Sequence, residues 1–384
     1  MIYLDAAATA EHNRFDNIIV RAMMNAMQDS WMNPSSLYAV DVKNKIKMCR
    51  TNIANFISAK PEEVYFTSGA SESNNWAIRG WVDYVVEQNL HLPRIITTPI
   101  EHKSILNLVE SHADYNVSYC KVDAFGEVDF KYLDDLLKAY GRGGNPFLVS
   151  IQMANNEIGT LQDVRRIAKM THKYNGILHV DATQAFGHIP INVEELDIDM
   201  MSCSGHKLST VLKGIGFLYK KNGINIHPLI YGNQEMGLRG GTENTFGIIG
   251  LGKAIELWDV CPENCENICE KRDYFIERLK TKFGCELNGN SFFRLPNNIN
   301  VTFPQNISGE SLLYMLDTSN IKISTGSACN SKEVEPSYVL KAIGLTDEEA
   351  MRTVRFTLSE DTTYKEIDYT IEEIDKAIKI LETN

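Results

Sequence analysis

The chain has 384 residues, 43% hydrophobic and 23% charged, with 50 acidic against 38 basic side chains and a formal net charge of −12. That composition is globular and long enough for two domains; the acidic balance argues against nucleic acid as a direct partner, and no apolar run approaches the roughly 18 residues that span a bilayer, so no membrane is expected. Met1–Asp5 runs straight into a strand-like segment without a basic, apolar leader, and eight cysteines are too few for a disulfide framework, so the expectation is a cytoplasmic protein with reduced thiols.

From about residue 60 to 220, apolar runs alternate with amphipathic stretches. Glu63–Thr67 reads as a strand and Glu72–Val86 as a helix; Arg94–Thr98 and His102–Ser111, Val117–Val122 and Phe130–Tyr140, and Phe147–Ile151 and Val164–Tyr174 repeat the pair. Strands at Ile177–Val180, Ile198–Ser202 and Gly216–Tyr219 complete a set of seven. The rhythm predicts an α/β fold, a mostly parallel seven-stranded sheet covered by helices, with ligands at the C-terminal strand ends. A long helical stretch, Ile248–Phe283, is interrupted near Pro262. Strands at Asn298–Phe303 and Val354–Leu358, with helices at Glu310–Leu316, Glu335–Ile343 and Tyr364–Leu381, predict a smaller α+β domain. The expected division is a large domain over 14–256 and a small one built from 1–13 and 257–384.

The chemistry-bearing residues fall just after these strands. Asp181, in His179-Val180-Asp181-Ala182-Thr183-Gln184, and Lys207, in Ser204-Gly205-His206-Lys207, follow adjacent strands. A strand ending in Asp and another ending in Ser-x-His-Lys is an arrangement that holds pyridoxal phosphate: the amine makes the Schiff base and the carboxylate pairs with the pyridine nitrogen. Taken alone, Asp181 would be a helix cap. A buried lysine is desolvated, which favours its neutral, nucleophilic form. Ser204 and His206 flank Lys207 and are placed to reach a phosphate. Thr67-Ser68-Gly69-Ala70-Ser71-Glu72-Ser73-Asn74 joins a strand to a helix N-terminus, a second phosphate cradle with Ser71 as hydroxyl donor; by itself a plain capped helix is the favoured reading. His102 is placed to stack on a planar ring and move protons. Asn155 suits a phenolate or carboxylate, although taken alone an Asn-rich turn is the better reading. Thr242 lies in a glycine-rich turn opening a helix. Arg355 alternates with apolar neighbours and suits bidentate carboxylate binding.

Cys329 lies in Ser324-Thr325-Gly326-Ser327-Ala328-Cys329-Asn330, a run of small residues with no bulk to pack. It is expected to form a mobile loop whose thiol travels to a substrate. Cys261, Cys265 and Cys269 recur every fourth residue. Surface thiols on a helix are the favoured reading and a soft-metal site the alternative, since structural zinc sites want four ligands. Cys49, Cys120, Cys203 and Cys285 are expected to be buried or incidental.

Together these segments resemble the cysteine desulfurases, pyridoxal-phosphate enzymes of fold type I in the class V aminotransferase group. Matches run in order from Ile2-Tyr3-Leu4-Asp5 through Asn33-Pro34-Ser35-Ser36, Glu101-His102, Asn155-Asn156-Glu157-Ile158-Gly159, the Asp181 and Lys207 segments and Gly326-Ser327-Ala328-Cys329 to Glu335-Pro336-Ser337-Tyr338-Val339-Leu340. The resemblance implies that Lys207 holds the cofactor, His102 stacks on its ring, Asp181 pairs with the pyridine nitrogen and Gln184 with the ring oxygen. It implies phosphate contacts from Ala70, Ser71, Ser204 and His206, and from Thr242 across a homodimer. Arg355, Asn155 and Asn33 would bind the substrate, L-cysteine, and Cys329 would take its sulfur as a persulfide for a sulfur-acceptor protein: an iron–sulfur scaffold, or an enzyme thiolating tRNA or DNA. The Cys329–Glu335 span resembles the long-loop group. Selenocysteine lyase and class V aminotransferase are the alternatives within the fold. The chain departs from the family pattern in three places: Leu208–Gly214 is longer than the usual Gly-Pro segment, Met32 replaces a glycine, and Ser71 replaces a threonine. It also ends at Asn384 without the extended tail by which some housekeeping members dock the iron–sulfur scaffold, which leaves that partner open.

Overall fold

The computed structural model describes residues 1–13, 15–88, 93–112, 115–142, 144–258, 262–304, 307–325, 328–330 and 333–383. Cys261 lies outside the described residues, and for Cys329 the backbone alone is described.

After β1 (Ile2–Tyr3), helices α1 (Asp16–Asp29) and α2 (Val40–Phe56) precede a strand–helix alternation. It comprises β2 (Val64–Thr67), α3 (Ala70–Glu87), β3 (Arg94–Thr97), α4 (Lys103–Ser111), β4 (Asn116–Tyr119), α5 (Phe130–Arg142), β5 (Phe147–Gln152), α6 (Val164–His172), β6 (Ile177–Asp181), β7 (Met200–Ser204) and β8 (Gly216–Lys220). The last seven strands form one sheet in the order β2-β8-β7-β6-β5-β3-β4, parallel throughout except where β8 runs against both neighbours. Side chains alternate across it, as a period of two requires. Ile96, Val149, Met201 and Phe217 face one apolar cluster, with Val42, Ile167, Ile248 and Leu251 from the covering helices. Ile95, Leu148, Met200 and Leu218 face the other, against Trp76, Trp81 and Ile105. Burial on both faces is why β5 reads as a continuous apolar run.

Helix α7 (Thr245–Leu257) leads to α8 (Pro262–Phe283), whose first residue is the proline that divides the long helical stretch. The rest comprises β9 (Glu286–Leu287), β10 (Asn298–Thr302), α9 (Gly309–Thr318), β11 (Ile321–Lys322), β12 (Ser324–Thr325), β13 (Ala328–Asn330), β14 (Glu333–Glu335), α10 (Tyr338–Ala342), α11 (Asp347–Met351), β15 (Thr353–Thr357) and α12 (Tyr364–Thr383). A four-stranded sheet, β12-β15-β10-β9, packs under α8 and α12 around Phe275, Val301, Phe356 and Ile371, and Leu4 from the N-terminal segment joins that cluster.

Three expectations change. The helix foreseen from Glu335 starts later: Glu335 ends β14, Pro336 cannot donate to a ladder, and Ser337 caps α10 by accepting from the backbone N–H groups of Val339 and Leu340. The small-residue run at Cys329 contains β13, which pairs antiparallel with β14, Cys329 opposite Val334. Helices α1 and α2 were not foreseen, because exposed Met24, Met27 and Met48 blur their apolar stripe.

Candidate active site

A cavity of about 570 Å³ lies where the strands of the large sheet end. It brings together Asp181 from the end of β6, Ser204, His206 and Lys207 from the end of β7, Ala70 and Ser71 at the start of α3, and His102 at the start of α4. Gln184 lines it, and Arg355 reaches it from β15 of the small domain. Two glycines permit this convergence. Gly69 has a φ of +151°, a conformation L side chains rarely adopt. At Gly216 a Cβ would sit 2.7 Å from the Gly69 Cα, so β8 can approach the α3 N-terminus closely.

Asp181 is 5% exposed and has no ion-pair partner among the described residues. Its Oδ2 accepts from Asn74 Nδ2 at 2.8 Å, and its Oδ1 from the Thr183 backbone N–H at 2.9 Å and from the Thr183 hydroxyl. The carboxylate is therefore oriented and faces the cavity with its charge uncompensated, an arrangement that suits a cationic ring nitrogen.

Lys207 Nζ donates to the carbonyls of Ala7 and Ala8, at 2.6 and 2.8 Å. Burial pushes its amine down to about 8; nearby Arg355 adds to this, while Asp5 and Asp181 pull the other way. Burial, then the charges of Lys207 and Lys213, hold His206 down to about 4, so its ring is neutral at pH 7, paired with Ser204 Oγ at 2.8 Å. Neutral donors beside the N-terminus of the long helix α3 suit a phosphate. Arg355 donates through Nη1 to the Asn156 carbonyl at 2.9 Å and through Nη2 to Asp5 Oδ1 at 2.7 Å. Its Nε is buried without a hydrogen-bond partner among the described residues. Gln184 Nε2 is tied to the Ala7 carbonyl at 3.0 Å.

Three expected contacts are not in this cavity. Asn155 is fully buried: its Nδ2 donates to the Ile100 carbonyl, and its Oδ1 accepts from the backbone of Glu157 and Ile158. Its amide is consumed in shaping the turn, and the neighbouring Asn156 lines the wall instead. Asn33 is exposed, its Oδ1 capping Ser35 N at 2.9 Å. Thr242 lines an adjoining cavity of about 210 Å³ that shares Ser68 and Gly214 with the first. In the unusual segment after Lys207, Leu208 and Leu212 pack into the large core, and Gly214 reaches the cavity. Cys49, Cys120, Cys203 and Cys285 are buried, and Cys265 donates to the His188 carbonyl at 3.5 Å.

Sequence reasoning missed Asn74, Asp5 and Ser104. Asn74 lies in the segment read as a phosphate cradle, and Asp5 in a segment read as a strand. Neither position carries a local signal, because their partners Asp181 and Arg355 are distant in the chain.

Residues 2–370 match the family model described as aminotransferase class-V. The chain is 41% identical to a cysteine desulfurase IscS of Dictyoglomus turgidum, covering 100% of this chain and 95% of that one. Among solved structures it is similar to a NifS-like protein (31% identity, 99% of each chain, TM-score 0.87). It is also similar to SspA in complex with cysteine (34% identity, 94% of this chain and 100% of that one, TM-score 0.78). The chain belongs to the class V aminotransferase family. Within that family its relatives are the cysteine desulfurases, and like them it is a pyridoxal-phosphate enzyme.

The residues present fit that cofactor. The uncompensated Asp181 carboxylate answers the pyridine nitrogen, the Lys207 amine the aldehyde, and Ser71, Ser204 and neutral His206 at the α3 N-terminus the phosphate.

Proposed function

We propose that the chain takes sulfur from L-cysteine onto Cys329, releases L-alanine and passes the persulfide to a sulfur-acceptor protein. The observation that carries this reading is one cavity holding Lys207, Asp181, His102 and Arg355, with β12 pairing directly beside Arg355 and leading into the Cys329 segment. Arg355 binds the substrate carboxylate; its partnerless Nε leaves it a donor to give. When bound, the cofactor supplies an electron sink for the substrate's Cα. Lys207, partly neutral at pH 7, takes the Cα proton on Nζ. The Cys329 thiolate bonds to the substrate sulfur as the Cβ–S bond breaks, and that bond's electron pair returns to the carbon skeleton, which takes up a proton and leaves as alanine. The persulfide then exchanges onto an acceptor thiol.

The protein acts as a homodimer in the cytoplasm, with large and small units at 14–256 and at 1–13 plus 257–384. Exposed Trp31, Leu37 and Tyr38 beside α1 and α2 support self-association, and Thr242 on a neighbouring copy would complete the phosphate site. Iron–sulfur assembly is the acceptor pathway suggested by the IscS relative. Mass spectrometry after a single turnover with L-cysteine tests the proposal: a persulfide on the peptide containing Cys329 supports it, and a persulfide confined to Cys265 or Cys269 overturns it.

A further inference from the structure

Asn74 is fully buried on α3, and its amide joins two parts of the site. Nδ2 donates to Asp181 Oδ2 at 2.8 Å and to Ser104 Oγ at 2.9 Å. A carboxylate accepts and does not donate, so Asp181 fixes which way round the amide lies. Both protons of the Asn74 NH₂ are then committed. Ser104 Oγ accepts one of them, and the proton of its own hydroxyl goes to its next neighbour, His102 Nδ1, at 2.8 Å. The backbone N–H of Ser104 also donates to His102 Nδ1, at 3.1 Å. Two donors converge on one ring nitrogen. A neutral imidazole carries one N–H and one bare nitrogen. With donors at Nδ1, the bare nitrogen is Nδ1 and the proton lies on Nε2.

Asn74 Oδ1 is buried without a partner among the described residues. An unmet buried acceptor is destabilising. A position that accepts such a cost is a candidate for function rather than for packing.

We propose that Asn74 and Ser104 are positioning residues that connect the Asp181 carboxylate to the His102 ring and hold it as the Nε2–H tautomer, so that His102 offers the pocket a hydrogen-bond donor. The connection joins two residues that line the pocket through a continuous chain of hydrogen bonds, Asp181–Asn74–Ser104–His102. It assigns opposite roles to two groups of the pocket: Lys207 Nζ takes up a proton, and His102 Nε2–H donates a hydrogen bond. This use rests on the functional reading above, but the tautomer is a property of the free chain and is tested without cofactor or substrate.

The experiment is nitrogen-15 NMR of the cofactor-free protein labelled in histidine, at a pH where the rings are neutral, with the His102 signals assigned by their loss in His102→Gln. The expected result is an Nε2–H pattern for His102 with Nδ1 shifted as a hydrogen-bond acceptor. In Ser104→Ala and in Asn74→Ala the Nδ1 signal should move downfield toward an unbonded ring nitrogen, and Ser104→Thr, which restores the hydroxyl, should return it. A proton on Nδ1 in the wild type overturns the proposal. So does an Nδ1 signal that neither alanine variant moves, or one that moves in Ser104→Ala but not in a folded Asn74→Ala. If Asn74→Ala does not fold, Ser104→Ala and its threonine rescue decide.

Discussion

Lys207 should lose its proton near pH 8 rather than near 10.5. At pH 7 an ordinary lysine is neutral in about one molecule in 3,000, and an amine at about 8 in about one in ten, a gain of ~300-fold in available nucleophile. The assay is the initial rate of Schiff-base absorbance when cofactor-free protein meets pyridoxal phosphate at a series of pH values. The rate should climb about tenfold per pH unit at first and level off above about 8. Stability carries the same signature. Below about 8 both the folded and unfolded chains hold the charge, and the folded chain bears its burial. Between about 8 and 10.5 the unfolded chain holds the extra proton, so folded wild type gains stability as pH rises, by roughly 3 kcal/mol at most. Lys207→Met has no such group, so the difference in unfolding free energy between wild type and variant should climb in favour of wild type across that window. A Schiff-base rate still rising tenfold per unit through about pH 10, with a flat stability difference, would refute the reasoning.

Arg355→Lys keeps the charge but cannot hold Asp5, the Asn156 carbonyl and a substrate carboxylate together; the KM for L-cysteine should rise ~10- to 100-fold with kcat less affected, read from initial rates. Glu157, half-buried against Ser337, is pushed up to about 7 by desolvation, against the pull of Ser337, Arg355 and Lys103. Between 4.5 and about 7 the folded chain holds the extra proton, so wild-type stability falls as pH rises through that window; Glu157→Gln should flatten that slope by roughly 3 kcal/mol in urea titrations. Gly187 has a φ of +83°, and a Cβ there would lie 2.0 Å from Leu208 Cδ2, next to Lys207; Gly187→Ala should lower stability by about 2 kcal/mol or more.

The sheet was legible because its strands are short apolar runs with helices between them, and the pocket because its residues follow those strands. Asp181, Lys207, His102 and Arg355 meet as expected. What escaped depends on contacts between distant segments. Asp5 acquires its role from Arg355 in β15, Asn74 from Asp181, and Lys207 is held by the carbonyls of Ala7 and Ala8. The Asn155 motif suits ligand binding, yet its amide oxygen closes its own turn. Pro336 carried the stop signal for β14 and the start of α10, and the apolar residues after it hid that signal.

The most direct test of the central claim is alanine release from L-cysteine in the presence of a reductant, with wild type and Cys329→Ser side by side, both loaded with pyridoxal phosphate. The account predicts steady alanine production by wild type and none above background by the variant. Equal alanine release from both would contradict it, because the substrate's sulfur would then leave without Cys329.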